Sequence, residues 1–128
     1  MENHRILVDT SILIDYFRKK NKQNSMLYKL SLGNDIVTSA VCYFEFMVGA
    51  KTIDLPFIHD LFQKIEILPF NTNVAQISAQ IYKQLKKQNQ IIEFRDIFIA
   101  ATAIVNDVEL ATINIRHFKR VADLKLHI

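Results

Sequence analysis

"RILVDTSILIDYF", Arg5 to Phe17, is the stretch on which the reading of the fold turns. Ile6, Leu7 and Val8 form a short apolar run with no polar face, the pattern of a strand covered on both sides of a parallel sheet. The run ends in an acid, Asp9. Thr10 or Ser11 then suits the N-cap of a helix over Ile12 to Lys20. A carboxylate placed where the chain enters its core needs either a structural partner or a chemical purpose.

The rest of the chain repeats the alternation. Ser25 to Leu32 reads as a second helix with Gly33 placed as its C-terminal cap. "DIVTS", Asp35 to Ser39, is a second short strand, and Ser39 caps a helix running to about Lys51. Asp54 with Pro56 starts another helix, reaching Ile65. "EILPF" is a third strand. Asn73 to Lys87 is an amphipathic helix, with Val74, Ile77, Ile81 and Leu85 at spacings of three and four. A further helix spans Arg95 to Val105, "ELATI" is a fourth strand, and the terminal "LKLHI" is a candidate fifth. Short apolar strands alternating with helices specify an α/β protein, a short parallel sheet of four to five strands flanked by helices. Ligands of such sheets bind outside the carboxyl ends of the strands. Asp9 and the segment after Thr112 both fall there.

The chain has 128 residues, half of them hydrophobic, which supports one domain over residues 1–128 with a substantial core. There are two glycines and two prolines, so long flexible linkers are not expected. No segment reads as a signal peptide or a membrane span, and a cytoplasmic protein without a membrane partner is the expectation. The single cysteine, Cys42, leaves no internal disulfide and no Cys-rich zinc site, and it is expected to be buried. A net charge of +3 and a pI near 9.0 permit a polyanionic partner without requiring one.

Three acids stand in apolar surroundings. Glu45 is the one charged residue in "SAVCYFEFMVGA", Ser39 to Ala50, a helix apolar all round and therefore expected to be buried. Asp96 heads "FRDIFIAATAIV", Phe94 to Val105, where Arg95, adjacent in sequence, points elsewhere on a helix. Asp9 is the third. Each has an ordinary alternative. Asp9 could cap a helix, Asp96 could favour a helix dipole, and Glu45 could pair with Lys51 or an arginine. Taken together they suggest one shared site, and three neighbouring carboxylates need a cation to stay ionised. Oxygen ligands without His or Cys suit Mg²⁺ or Mn²⁺ rather than zinc. Such a site supports phosphoryl chemistry.

The segments "ILVDTSILIDYF", "VTSAVCYFEFMVGA", "RDIFIAATAIV" and "ELATINIRHF" resemble, in this order, the PIN-domain ribonucleases, most of all the VapC-type toxins of toxin–antitoxin pairs. The resemblance spans nearly the whole chain. It implies a PIN-like three-layer α/β sandwich and an Mg²⁺- or Mn²⁺-dependent endoribonuclease that leaves a 5′-phosphate and a 3′-hydroxyl and arrests translation and growth. It implies that Asp9, Glu45 and Asp96 are the catalytic, metal-binding carboxylates. The family's frequent fourth acid, two residues after Thr112, is here Asn114, which adds an oxygen but no charge. Ser11 and Thr112 are expected to support the site, with a plain helix cap as the alternative for Ser11. The expected partners are RNA, a small antitoxin protein, a second copy of the chain in a homodimer, and operator DNA reached only through the antitoxin.

Basic residues beside these elements could hold an RNA backbone: Arg18, Lys19 and Lys20 in "RKKNK", and Arg116 in "RHFKR". Asp15, six residues after Asp9, reads as an exposed or capping residue, Glu93 as a helix-start acid, and His117 as a partly exposed surface residue. His4, His59 and His127 carry no signal. The aromatics Tyr43, Phe44, Phe57 and Phe62 read mostly as core, with an antitoxin groove as the alternative. Two other nuclease-free readings are weaker. A phosphatase with Asp9 as nucleophile wants a second aspartate where Ser11 stands, and a binding-only domain would have lost one of the three acids. A PIN nuclease of RNA processing, without a toxin role, shares every residue named here.

Overall fold

The computed structural model describes residues 4–128. Met1 to Asn3, the start of the N-terminal segment read above as lacking a signal peptide, lie outside the described residues. Strand β1 (His4–Val8) occupies an inner position of a four-stranded sheet, with β2 (Asn34–Ser39) on one side and β4 (Glu109–Ala111) on the other. Strand β3 (Glu66–Leu68) extends the sheet beyond β2, giving the order β3-β2-β1-β4 with every pairing parallel. Ile6 stands opposite Ile36 on one side and Glu109 on the other. Ile6, Leu7 and Val8 are fully buried, as their uninterrupted apolar run requires. Each such side chain is worth about 1.5–3 kcal/mol of burial.

Helices flank this sheet: α1 (Thr10–Arg18), α2 (Met26–Ser31), α3 (Ala40–Val48), α4 (Leu55–Gln63), α5 (Thr72–Lys87), α6 (Phe94–Val105) and the single-turn α7 (Ile115–Phe118). Parallel strands place all their carboxyl ends on one edge. There Asp9 leaves β1, Ser39 leaves β2 and Thr112 leaves β4. The Thr38 hydroxyl donates to the Val8 carbonyl (2.7 Å), and Ser39 Oγ accepts from the Cys42 N–H (3.0 Å) to cap α3. Strand end and helix start are thus fixed together. Asn71 caps α5 in the same way, and Val74, Ser78, Ile81 and Leu85 form its buried stripe, with Ile77 partly buried.

Several elements differ from the sequence reading. The terminal "LKLHI" forms one parallel bridge, Leu110 to Leu126, rather than a fifth strand, because β4 is only three residues long and offers little edge. Gly33 is not a left-handed cap, since no glycine has a positive φ. β2 begins at once after it, and the Asn34 amide caps the Leu30 carbonyl instead (2.9 Å). Helix α3 stops at Val48 and is not covered all round. Cys42 and Phe46 are buried, but Phe44 and Val48 are 65% and 70% exposed. Asp15 accepts from the Met26 N–H (3.0 Å), so the capping role read from sequence stands.

Candidate active site

Asp9 is the N-cap of α1 and is almost wholly buried. Its Oδ1 accepts from the backbone N–H groups of Ser11 (3.1 Å) and Ile12 (3.4 Å) and from the Ser11 hydroxyl. Its Oδ2 accepts from the Thr112 hydroxyl, 103 residues away in sequence. The network continues outward. Ser11 Oγ accepts from the Ile113 N–H (3.1 Å), and Thr112 Oγ1 from the Asn114 N–H (2.9 Å). Ser11 and Thr112 therefore sew the β4–α7 loop to the β1–α1 turn through the carboxylate between them. Burial pushes the Asp9 pKa above the usual carboxylate value, and these four donors, which favour the charged form, offset only part of that cost.

Asp96, in the first turn of α6, also has a raised pKa. Burial is the main cause; Arg95 and His117 oppose it, and the negative charges of Glu93 and Asp9 add to it. Asp9 and Asp96 are thus electrostatic neighbours, brought together from β1 and α6. The imidazole of His117, half-exposed on α7, lies 3.6 Å from Asp96 Oδ2.

Glu45 reaches the same edge from α3 but is otherwise engaged. Its Oε1 accepts from the Thr10 hydroxyl (2.8 Å), and its Oε2 lies 3.2 Å from Arg95 Nη1. Arg95 makes its ion pairs with Glu45 and Glu93 and acts on Asp96 as a nearby charge. The ion pair anticipated as an alternative for Glu45 is the one present. Among the described residues, no three His, Cys, Asp or Glu side chains are gathered closely enough to hold a metal ion. Glu45 has Arg95 as its counter-charge from within the chain. The donor chemistry still fits a hard cation. Asp9 and Asp96 supply carboxylate oxygens whose ionisation is penalised, which is the condition a divalent ion relieves. Glu45 is hydrogen-bonded to Thr10, the residue next to Asp9.

The remaining sequence candidates separate. Asn114 begins α7 with its side chain exposed and making no capping bond. Arg18 and Glu45 line one cavity of about 210 Å³. Lys20 and Arg116 are exposed. Lys19 pairs with Asp15 (3.7 Å), and Lys22 of the same basic run donates to the Tyr16 and Phe17 carbonyls (2.8 and 2.9 Å), closing the end of α1. Thr10 and Arg95, the two partners of Glu45, carry no site role in the sequence reading. The available signal was that Arg95 is the one base in "FRDIFIAATAIV" and Glu45 the one acid in α3. Of the aromatics, Phe44 is exposed beside Glu45, whereas Tyr43 and Phe62 pack edge to face 4.8 Å apart.

Fold and site define a class: an α/β protein with acidic side chains assembled at the carboxyl edge of a short parallel sheet. The chain belongs to the PIN domain family, whose family model matches residues 6–124, and within it to the VapC group. It is 34% identical over 128 residues to Ribonuclease VapC1 of Methanocaldococcus jannaschii, covering 99% of this chain and 88% of that protein. It is 30% identical over 120 residues to Ribonuclease VapC19 of Mycobacterium tuberculosis, covering 93% and 96%. Its fold is similar to VapBC2 of Rickettsia felis bound to a promoter DNA fragment, with a TM-score of 0.83 and 24% identity over 96% of this chain and 97% of that one. DNA-bound VapBC of Salmonella typhimurium gives a TM-score of 0.85 at 22% identity, covering 97% of each chain.

Proposed function

We propose that the chain is a single-domain, metal-dependent endoribonuclease, the cytoplasmic toxin of a toxin–antitoxin pair. The observation that carries this reading is the buried, ionisation-penalised Asp9 set beside Asp96 at the ligand-binding edge of a PIN sheet. Asp9, Glu45 and Asp96 would hold Mg²⁺ or Mn²⁺, with Asn114 as a neutral oxygen at the rim. When bound, the ion supplies charge neutralisation at the scissile phosphate and activation of water. The chain's own residues do the positioning. Ser11 and Thr112 fix both oxygens of Asp9, and Arg18, Lys20 and Arg116 offer cations to the RNA backbone. Lys19, committed to Asp15, is the weakest member of that set. Names and assemblies of the relatives support the partners: ribonuclease for the activity, and VapBC complexes on promoter DNA for an antitoxin that reads the operator. Assembly as a homodimer follows the same family reading.

The test is cleavage of RNA by the purified chain in Mg²⁺ or Mn²⁺, with sequencing of the new ends. Cleavage should leave 5′-phosphates and stop on chelation; cleavage indifferent to chelator would refute the metal reading. Induction in cells should halt growth, and co-expression of the neighbouring antitoxin should restore it. Binding should also weaken with salt. Three phosphate contacts on a single strand predict a slope of about −2 in log affinity against log salt. A flat titration would remove Arg18, Lys20 and Arg116 from the interface.

A further inference from the structure

We propose that Arg95 is a displaceable counter-cation, which neutralises Glu45 in the metal-free protein and passes to the RNA backbone when a divalent ion takes Glu45. This rests on the reading that Asp9, Glu45 and Asp96 form the metal site.

The geometry of Arg95 carries the inference. Its guanidinium lies between two acids from different elements. Nη1 is 3.2 Å from Glu45 Oε2, and Nε is 2.9 Å from Glu93 Oε2. Glu45 is mostly covered, whereas Arg95 and Glu93 are 57% and 68% exposed. A divalent ion on Glu45 would meet the guanidinium charge at the same carboxylate, so the two cations would compete for it. Giving up Glu45 costs Arg95 little, because the exposed guanidinium is readily hydrated and Glu93 still holds it through Nε. Giving up Arg95 without replacement costs Glu45 more, because its surroundings are apolar. Val41, Phe44, Val48 and Phe98 line the same groove. The exchange is therefore asymmetric. The covered acid always has a cation, while the exposed base is free to serve elsewhere.

Once released from Glu45, Arg95 stands at the start of α6 beside Asp96, with Nη1 free and Nε still held by Glu93. A planar guanidinium at that position suits a phosphate oxygen. Substrate and metal then assist each other. RNA draws Arg95 off Glu45 and tightens metal binding, and metal frees Arg95 for RNA by the same factor. The device keeps Glu45 paired with a cation until the metal arrives.

The experiment is Mn²⁺ binding by calorimetry to the full chain, comparing wild type, Arg95→Gln, Glu45→Gln and the double variant. Arg95 is more than half exposed, so its replacement leaves the fold intact, checked by circular dichroism. Arg95→Gln should bind Mn²⁺ roughly three- to fivefold more tightly, and the same change in the Glu45→Gln background should alter affinity less than about twofold. At saturating Mn²⁺, Arg95→Gln should raise the KM for a short RNA about threefold with little change in kcat. These opposite signs, metal tighter and RNA weaker, are not produced by a residue that merely supports the fold. Unchanged or weaker Mn²⁺ binding in Arg95→Gln, an equal gain in the Glu45→Gln background, or an unchanged KM would each overturn the proposal. Wild type binding Mn²⁺ no better than Asp9→Asn would instead overturn the metal site itself.

Discussion

Asp9→Asn should lose more than about a hundredfold of RNA cleavage, above the 10–100-fold typical of outer partners of a metal site, and should melt at the wild-type temperature or slightly higher. The substitution separates the two roles that Asp9 fills. As an N-cap, Asn serves as well as Asp. Its carbonyl oxygen can accept from the Ser11 and Ile12 N–H groups and from the Ser11 hydroxyl, as Oδ1 does now. Its amide would face Thr112 Oγ1, which has a further lone pair to offer. The charge is lost, and the Thr112 hydroxyl becomes an acceptor where it was a donor. That charge burdens the metal-free fold. The folded-state pKa is raised, so in the interval above the ordinary carboxylate value the folded state holds its proton more tightly than the unfolded chain does. Stability from this group therefore falls as pH rises from the ordinary carboxylate value through the folded pKa. Removing the charge should leave stability unchanged or improved. A melting temperature lower by more than about 5 °C, roughly 1 kcal/mol for a domain of this size, would show that Asp9 is chiefly structural. Near-normal cleavage would remove it from the chemistry.

Why Asp9 was legible in the sequence, and Arg95 was not, follows from the range of the interactions. Ile6 to Val8, Asp9 and the α1 cap are consecutive, so local pattern and capping chemistry suffice to place them. The same holds for Ser39 before α3 and for the stripe of α5. The bond between Thr112 and Asp9 spans 103 residues and exists only because β4 docks beside β1. Neither periodicity nor composition encodes that adjacency; only the ordered set of motifs pointed to it. The Glu45–Arg95 pair depends on how α3 and α6 meet, so sequence could name a pairing as an alternative without choosing the partner. Apolar pattern alone also overstated the burial of α3, since Phe44 and Val48 stay exposed. Helix α7 is a single turn and shows no period to detect. The role of Lys22 has no sequence signal, because its targets, the Tyr16 and Phe17 carbonyls, become available only when α1 ends where it does.

Thr112→Val should cost about 10- to 100-fold in cleavage at neutral pH, the usual scale for an outer partner of a metal ligand. The replacement has nearly the same shape, so packing is preserved and the effect isolates one hydroxyl. That hydroxyl is buried, donates to Asp9 Oδ2 and accepts from the Asn114 N–H. Without it, Asp9 loses a donor that favours its ionised form, and the carboxyl pKa, already raised by burial, moves further up. Proton and metal compete for the same oxygens, so the acid limb of Mn²⁺ binding and of cleavage should shift to higher pH. Part of the lost activity should therefore return on the alkaline side. The Asn114 N–H also loses its acceptor, which loosens the start of α7 and the placing of Asn114. A buried acceptor on Asp9 and a partly buried Asn114 N–H left unmatched predict a stability loss of about 1–3 kcal/mol at neutral pH. That loss should shrink on acidification, as Asp9 takes up its proton and no longer needs the missing donor. The decisive measurement is the pH profile of kcat/KM in Thr112→Val against wild type. A uniform drop with an unmoved acid limb would mean that Thr112 acts by holding the loop alone, and an unaffected profile would detach it from Asp9 altogether.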